Sequence, residues 1–315
     1  MTKSAPTVLD RLELMQTFVR IVDAGSLSAA ARQMASTQPT ISRRLAWLET
    51  MLGLKLLQRS THAMKLTADG ERCYAHAKSL LEAWDAVESD LRGAKDTPRG
   101  HLRVMAPHAF GQQLLVEPLA AFLRANPEVS VDWLLLDRQA DFIAEGIDCA
   151  IRVGAVEEPG LVAVRLAEVP RILVAKPGLW GDGAPPQHPH ELARLPWLSL
   201  IQFYRDMLEL REIDGSGVER IAIKPRMSTD SLYAARSGLL EGLGAALVSA
   251  WLVVDELASG RLVQLAPAWE AAPLPVHLLY PHARLYPARL REFAAVMKRA
   301  MPDIPGMRPP TLSRP

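Results

Sequence analysis

The sequence predicts an all-α winged helix-turn-helix domain at the N-terminus, then a long linker helix, then an α/β body of two lobes. Three observations carry this reading. Three short helical stretches and a hairpin-like segment fill residues 1–66, with a proline opening the third stretch. An apolar seam with steps of 4, 3, 4, 3 and 4 follows within residues 67–94. From residue 101 onward strand-like and helix-like runs alternate, which implies parallel sheet with helices on its faces.

The first stretch runs from Val8 to Ala24, with Leu12, Met15, Phe18, Val19 and Val22 on one face. Gly25 ends it and Ser26 is a natural N-cap for LSAAARQM. Ala29, Ala30 and Ala31 carry so little bulk that another helix can approach closely. The third stretch, TQPTISRRLAWLETMLG, starts with Thr37 as N-cap and Pro39 in the first turn, where a missing N–H costs nothing. Ile41, Leu45, Leu48 and Leu52 form its buried stripe.

Two helices joined by a tight turn, the second basic, read as a helix-turn-helix. The second helix of that motif meets base edges with its N-terminal residues. Gln38, Thr40, Ser42 and Arg43 fall on its polar side, with Pro39 and Arg44 beside them. Gln suits adenine, Arg suits guanine, and Ser or Thr adapt to either. A plain three-helix bundle with a polar outer face is the competing reading. After Gly53, LKLLQRSTHAMKLTADG sets two short apolar runs around a polar tip, as in a two-stranded wing. Arg59, His62 and Lys65 sit where a wing touches phosphate or the minor groove, solvated charge being the alternative for each.

Thr67 caps the next helix, which runs to about Gly93 with Asp69 in its first turn. Cys73, Ala77, Leu80, Trp84, Val87 and Leu91 form its seam. A seam on an isolated helix needs a partner, and a second copy of the chain is the simplest one. We therefore assign Ala77, Leu80, Trp84, Val87 and Leu91 to dimerisation, with packing against the chain's own body as the alternative.

A turn-rich stretch, AKDTPRGH, marks the hinge, placed at 95–100. Strand-like runs in the body are HLRVMA, VSVDWLLL, DCAIRVG, LVAVRL, RILVAK, WLSLI, IAIKPRM, AALVS and VHLLY. Helix-like segments lie near 110–125, 138–146, 230–240, 250–259 and 288–300. Ligands of α/β lobes lie outside the carboxyl ends of the strands. The candidate residues there are Ala106, Pro107, His108, Arg152, Ser199, Phe203, Thr229, Asp230 and Ser249, and Asp137 follows the second strand. Helix N-termini near Thr229 and Ser249 offer free N–H groups, although simple N-capping explains Thr229 or Asp230 equally well.

Composition narrows the function further. The chain has 315 residues, 49% of them hydrophobic and 23% charged, so it can bury a core without staples. Cys73 and Cys149 are its only cysteines, which excludes a disulfide scaffold and suits a reducing cytoplasm. The apolar stretch from Gly242 to Val254 is thirteen residues long, short of the roughly twenty needed to span a bilayer. Asp10, Arg11 and Glu13 interrupt any signal-peptide run. The net charge of +1 conceals a division: residues 1–66 hold nine basic and four acidic groups, and the remainder is −4. A basic head on an acidic body suits a polyanion partner.

No GxSxG, P-loop or GxGxxG is present. HPH at 188–190 lies in a Pro-rich loop, and no metal site or enzyme is expected.

The N-terminal block resembles the LysR-type transcriptional regulators of bacteria. The resemblance rests on Phe18 to Val22, on GSLSAAARQMASTQPTISRRLAWLETMLGLKLLQRS and on KLTADG. LRVMAPHAFG, PEVSVDWLLLDRQADFIAEGIDCAIRVG and GLGAALVSAWLVVDELASGRLVQL extend it over nearly the whole chain. It implies a C-terminal effector domain like the periplasmic solute-binding proteins, spanning 101–303. Lobe one would take 101–172 and 268–303, lobe two 173–267, and 304–315 would be a disordered Pro-rich tail. It also implies a cytoplasmic homodimer or homotetramer on double-stranded promoter DNA, contact with RNA polymerase, and no membrane. A small-molecule effector, commonly an organic or aromatic anion, would settle between the lobes, with no other cofactor. Relatives often carry Phe at Leu57, Ser or Thr near Ala106-Pro107-His108, and Pro at Ser249. The alternative is a soluble solute-binding or enzymatic α/β protein whose helical head serves only oligomerisation.

Overall fold

The computed structural model describes residues 10–59, 64–91, 97–215 and 217–310. The expected DNA contact His62 lies outside these residues, as do the side chains of Arg59 and Leu91.

Three helices build the N-terminal domain: α1 (Arg11–Asp23), α2 (Leu27–Gln33) and α3 (Gln38–Leu52). Asp10 caps α1, accepting from the Leu12 N–H at 3.0 Å, and Ser26 caps α2, accepting from Ala29 at 3.1 Å. Thr37 occupies the N-cap of α3, but its hydroxyl turns to that of Thr40 at 2.8 Å. Gly53 closes α3 with φ of 70°, a conformation that favours glycine. Phe18 and Ile21 of α1, Ala30 and Ala31 of α2, and Ile41, Leu45 and Leu48 of α3 form one core.

The wing is an antiparallel pair, β1 (Leu57–Arg59) with β2 (Met64–Leu66). Glu49 ties it to α3. The Glu49 carboxylate is buried and accepts from Lys55 Nζ at 2.6 Å and from the Leu56 N–H at 2.9 Å. The linker helix is α4 (Ala68–Leu91), and Thr67 caps it by accepting from the Gly70 N–H at 2.9 Å. Gly70 lies so close under the Leu56 carbonyl that any Cβ would overlap it.

The body contains β3 (Gly100–Ala106), α5 (His108–Gln113), α6 (Val116–Ala125), β4 (Val129–Leu135), β5 (Cys149–Val153) and β6 (Leu161–Ala175). Next come β7 (Trp197–Leu200), β8 (Met207–Glu212), β9 (Val218–Ala222), β10 (Pro225–Thr229) and α7 (Leu232–Leu240). The chain then forms β11 (Ala246–Ser249), α8 (Val254–Ala258), β12 (Val263–Leu265), β13 (Trp269–Pro281) and α9 (Ala288–Ala300). The main sheet runs β11-β6-β13-β5-β3-β4, with β3 parallel to β4 and β5, and β13 antiparallel to β5 and β6. Helices α6 and α9 cover it, Phe122 meeting Phe293 edge-on at 5.4 Å. β7 and β10 pair in parallel inside the second lobe, and β11 and β12 pair with the far end of β6.

The structure corrects several expectations. The runs LVAVRL and RILVAK are one strand, β6, which passes through the expected lobe boundary at 172–173 without a break. Pro170 and Pro273 sit in the irregular stretch between the pairs Leu274–Val169 and Ala271–Arg171, where a missing N–H costs no ladder bond. No helix forms over 138–146. Asp141 accepts the Ala144 N–H at 2.9 Å, and Gly146 leaves the turn with φ of 61°. The segment near 110–125 is two helices, and the β8–β9 hairpin and β12 were not foreseen. Residues 304–310, expected in a disordered tail, dock instead. Arg308 exchanges backbone bonds with Glu168 at 2.9 Å, and its guanidinium grips Glu270 at 2.9 and 3.1 Å. Among the described residues no helix is long and apolar enough to cross a membrane.

Candidate functional site

The structure presents two candidate surfaces. The first is the start of α3. The buried stripe of Ile41, Leu45 and Leu48 fixes this helix against α1 and α2, which leaves Gln38, Pro39 and Arg43 exposed with Thr40 and Ser42 half-buried beside them. Lys65, on β2, is exposed as well. Arg44 departs from expectation: its guanidinium pairs with Glu13 of α1, which draws it off the exposed face. The i, i+1 neighbours Arg43 and Arg44 point about 100° apart on a helix, and here Arg43 is exposed while Arg44 is half-buried.

The linker seam divides in the same way. Ala77 is buried within the chain, and Cys73 packs against the N-terminal core, so Ala77 is unavailable to a second copy. The first turns of α4 lie on α1, and an apolar face is satisfied by the nearest surface. Further along, Leu80, Trp84 and Val87 stay exposed, Trp84 at 51%. Trp47, Met51 and Leu54 of the N-terminal domain are exposed as well.

The second surface is a cleft of about 400 Å³ at the carboxyl ends of β3, β4 and β5, closed from the other side by the start of α7 and the end of β11. Pro107, His108, Arg152, Phe203, Asp230 and Ser249 come together in its lining. Three expected residues do not. Ala106 is fully buried in the core. Ser199 is buried and donates to the Ser228 hydroxyl at 2.8 Å. Thr229 accepts from the Ser231 N–H at 3.1 Å and lies outside the lining.

Sequence reasoning missed Arg138, Glu158, Phe142, Tyr233 and Trp251. Arg138 was legible from its place one residue after Asp137 at the end of a strand. Tyr233 and Trp251 are reached only through tertiary packing. The Tyr233 hydroxyl donates to Gln113 at 2.6 Å, joining α7 to α5 across the cleft, and Trp251 meets Phe110 edge-on at 5.7 Å. Ser231, rather than Thr229 or Asp230, is the N-cap of α7, accepting from the Ala234 N–H at 3.3 Å.

The charges of the cleft are specific. Arg138 forks onto Glu145 at 2.7 and 2.6 Å, and this bond, with the Asp141 N–H, holds the Glu145 carboxyl down to about 2. Arg152 donates to Glu158 at 2.6 Å. Asp137 accepts the His108 N–H at 2.8 Å, at the first residue of α5. Among the described residues no group of three metal-ligating side chains gathers.

Comparison with known proteins agrees with this architecture. Residues 12–71 match the model of bacterial regulatory helix-turn-helix proteins of the lysR family, and residues 95–302 match the LysR substrate binding domain. The chain is 32% identical over 282 residues to the HTH-type transcriptional regulator PtxR of Pseudomonas aeruginosa, covering 90% of each. It is 33% identical over 257 residues to the HTH-type transcriptional activator TtdR of Escherichia coli, covering 81% of this chain and 82% of that one. Among solved structures, CrgA, a LysR-type transcriptional regulator from Neisseria meningitidis, is 26% identical with a TM-score of 0.56. That match covers 95% of this chain and 99% of CrgA. The full-length virulence activator AphB of Vibrio cholerae is 25% identical at a TM-score of 0.56, covering 91% and 98%. A helix-turn-helix head, a linker helix, a two-lobed body with a cleft, and these matches along most of the chain lead to one conclusion: the protein belongs to the LysR-type transcriptional regulators, a family of DNA-binding proteins with an effector-binding domain.

Proposed function

We propose that the protein binds double-stranded promoter DNA in the cytoplasm, and that a small molecule in the cleft alters this binding and the protein's contact with RNA polymerase. The observation that carries the reading is the start of α3, where Gln38, Pro39 and Arg43 stand exposed on a helix fixed by a buried stripe. Gln38, Thr40, Ser42 and Arg43 read bases, and Arg59, His62 and Lys65 follow the backbone from the wing. Leu80, Trp84, Val87 and Leu91 join two copies along α4 into a homodimer, and pairs of dimers complete a homotetramer. Pro107, His108, Arg152, Phe203, Asp230 and Ser249, with Arg138, Tyr233 and Trp251, hold the effector. The working division is a DNA-binding domain over 1–66, a linker over 67–94, a hinge over 95–100 and the effector domain from 101. The docking of Arg308 on Glu168 and Glu270 extends that domain beyond residue 303.

Footprinting on the DNA upstream of the protein's own gene tests this. The expected result is protection of two half-sites on one face of the duplex. Protection that follows protein concentration without regard to sequence would contradict base reading by α3.

A further inference from the structure

Both arginines that line the cleft, and the first N–H of α5, are already matched by carboxylates of the chain itself. Arg138 is held in a fork by Glu145, and Arg152 is held by Glu158. The first N–H of α5 goes to Asp137. The start of α7 has its N-cap in Ser231 and carries Asp230 immediately before it. Among the described residues no lysine lines the cleft. Asp137, Glu158 and Asp230 therefore outnumber Arg138 and Arg152 in the lining itself, and Glu145 neutralises Arg138 from just outside it.

A carboxylate ligand would have to share an arginine that already holds a carboxylate of the chain, and the nearby Glu145 or Glu158 charge reduces its gain. A cation meets no such competition at Asp230. That carboxylate is exposed and lines the cleft, and no arginine or lysine approaches it within ion-pair distance among the described residues. Phe110, Phe203, Tyr233 and Trp251 line the same space, so an apolar or aromatic body fits beside it, and aromatic faces attract cations.

We infer that the cleft takes a cationic ligand, an ammonium or amidinium nitrogen on an apolar body, with Asp230 as its counter-charge. The inference rests on the reading of the cleft as the effector site. Asp230 is then a specificity-determining residue, and the capping hydrogen bond of α7 comes from Ser231 instead.

The test uses the full-length protein at about pH 8, above the ordinary imidazole range near 6.5. Phenethylamine and phenylacetate, which share a ring and differ in the sign of charge, are compared by calorimetry and thermal melting. The expected result is at least about tenfold tighter binding of the amine, about 1.4 kcal/mol, with that preference lost in Asp230→Asn while the unliganded melting temperature stays at the wild-type value. Tighter binding of phenylacetate, binding of neither compound, or an unchanged amine affinity in Asp230→Asn would overturn the inference. Gln202→Trp, at an exposed lining position, separates the two claims. Amine binding that survives this variant places the ligand elsewhere and defeats the cleft reading. Phenylacetate binding that is lost in it keeps the cleft and defeats only the charge class.

Discussion

Lys78 of the linker helix donates to the carbonyl of Gly146 in the effector domain at 3.0 Å, and its ammonium lies 3.8 Å from Asp148. One turn earlier, the Tyr74 hydroxyl donates to Asp23 at 2.6 Å, at the last residue of α1. Burial first, and then the neighbouring Asp23 carboxylate, raise the Tyr74 pKa, so the phenol remains a donor at neutral pH and well above it. Adjacent turns of α4 thus hold the DNA-binding domain and the segment that carries Arg138 and Glu145 to the cleft. Lys78→Met should lower stability by about 1–2 kcal/mol, because it leaves the partly buried Asp148 and the Gly146 carbonyl short of a donor. Tyr74→Phe should cost about 1 kcal/mol. Chemical denaturation checks both, and wild-type midpoints in the two variants would show that α4 is not anchored there.

Glu49 joins α3 to the wing, and its titration gives a pH test. Burial pushes its pKa up, but the Lys55 hydrogen bond, the Leu56 and Leu57 N–H groups and the Lys55 charge together bring it below the ordinary value. A carboxyl whose folded pKa is depressed stabilises the fold above its unfolded pKa, near 4.3, and this stabilisation disappears as pH falls through the folded pKa. Glu49→Gln should therefore cost about 1–3 kcal/mol at neutral pH. The difference from wild type should shrink below about pH 4. A pH-independent difference would show that the loss is one of packing alone.

Adjacent arginines on α3 should behave differently. Arg43→Ala is expected to cost about 1–3 kcal/mol of specific DNA affinity and to relax preference at one base position. Arg44→Ala, which removes the partner of Glu13 on the inner side of the helix, should leave sequence preference unchanged. Fluorescence anisotropy against single-base variants of the protected site distinguishes the two. Loss of preference in Arg44→Ala with none in Arg43→Ala would reverse their assignment.

Much of this was legible in the sequence. Ser26 as a cap, the Ile41–Leu48 stripe, Gly53 as a helix end and Thr67 as a cap were readable because each depends on neighbours within a turn or two. The cleft was half legible. Pro107, His108 and Arg152 follow from the rule that ligands lie at strand ends. Ser199 and Thr229 failed because the same rule does not say which way a side chain points: Ser199 turned inward to the Ser228 hydroxyl, and Thr229 accepts the Ser231 N–H outside the lining. The helix expected over 138–146 failed because Asp141 and the Arg138–Glu145 bond satisfy a single turn without a ladder. The continuity of β6 through Pro170 was invisible because it depends on the irregular pairing with β13 around Pro273, about a hundred residues away.

The exposed part of the linker seam predicts assembly. Trp84→Asp places a charge where an apolar contact between copies is expected, and it should shift sedimentation toward the monomer. Trp84 is half-exposed in the single chain, so the folded monomer should tolerate the change. A variant that sediments as wild type would show that this face does not join two copies.

DNA recognition is tested by a binding titration of the intact protein against the DNA upstream of its own gene at several salt concentrations. Saturable, sequence-selective binding is expected, its log affinity falling linearly with log salt in proportion to the phosphates that the basic head neutralises. Equal affinity for that DNA and for random duplex, or an affinity indifferent to salt, would contradict it.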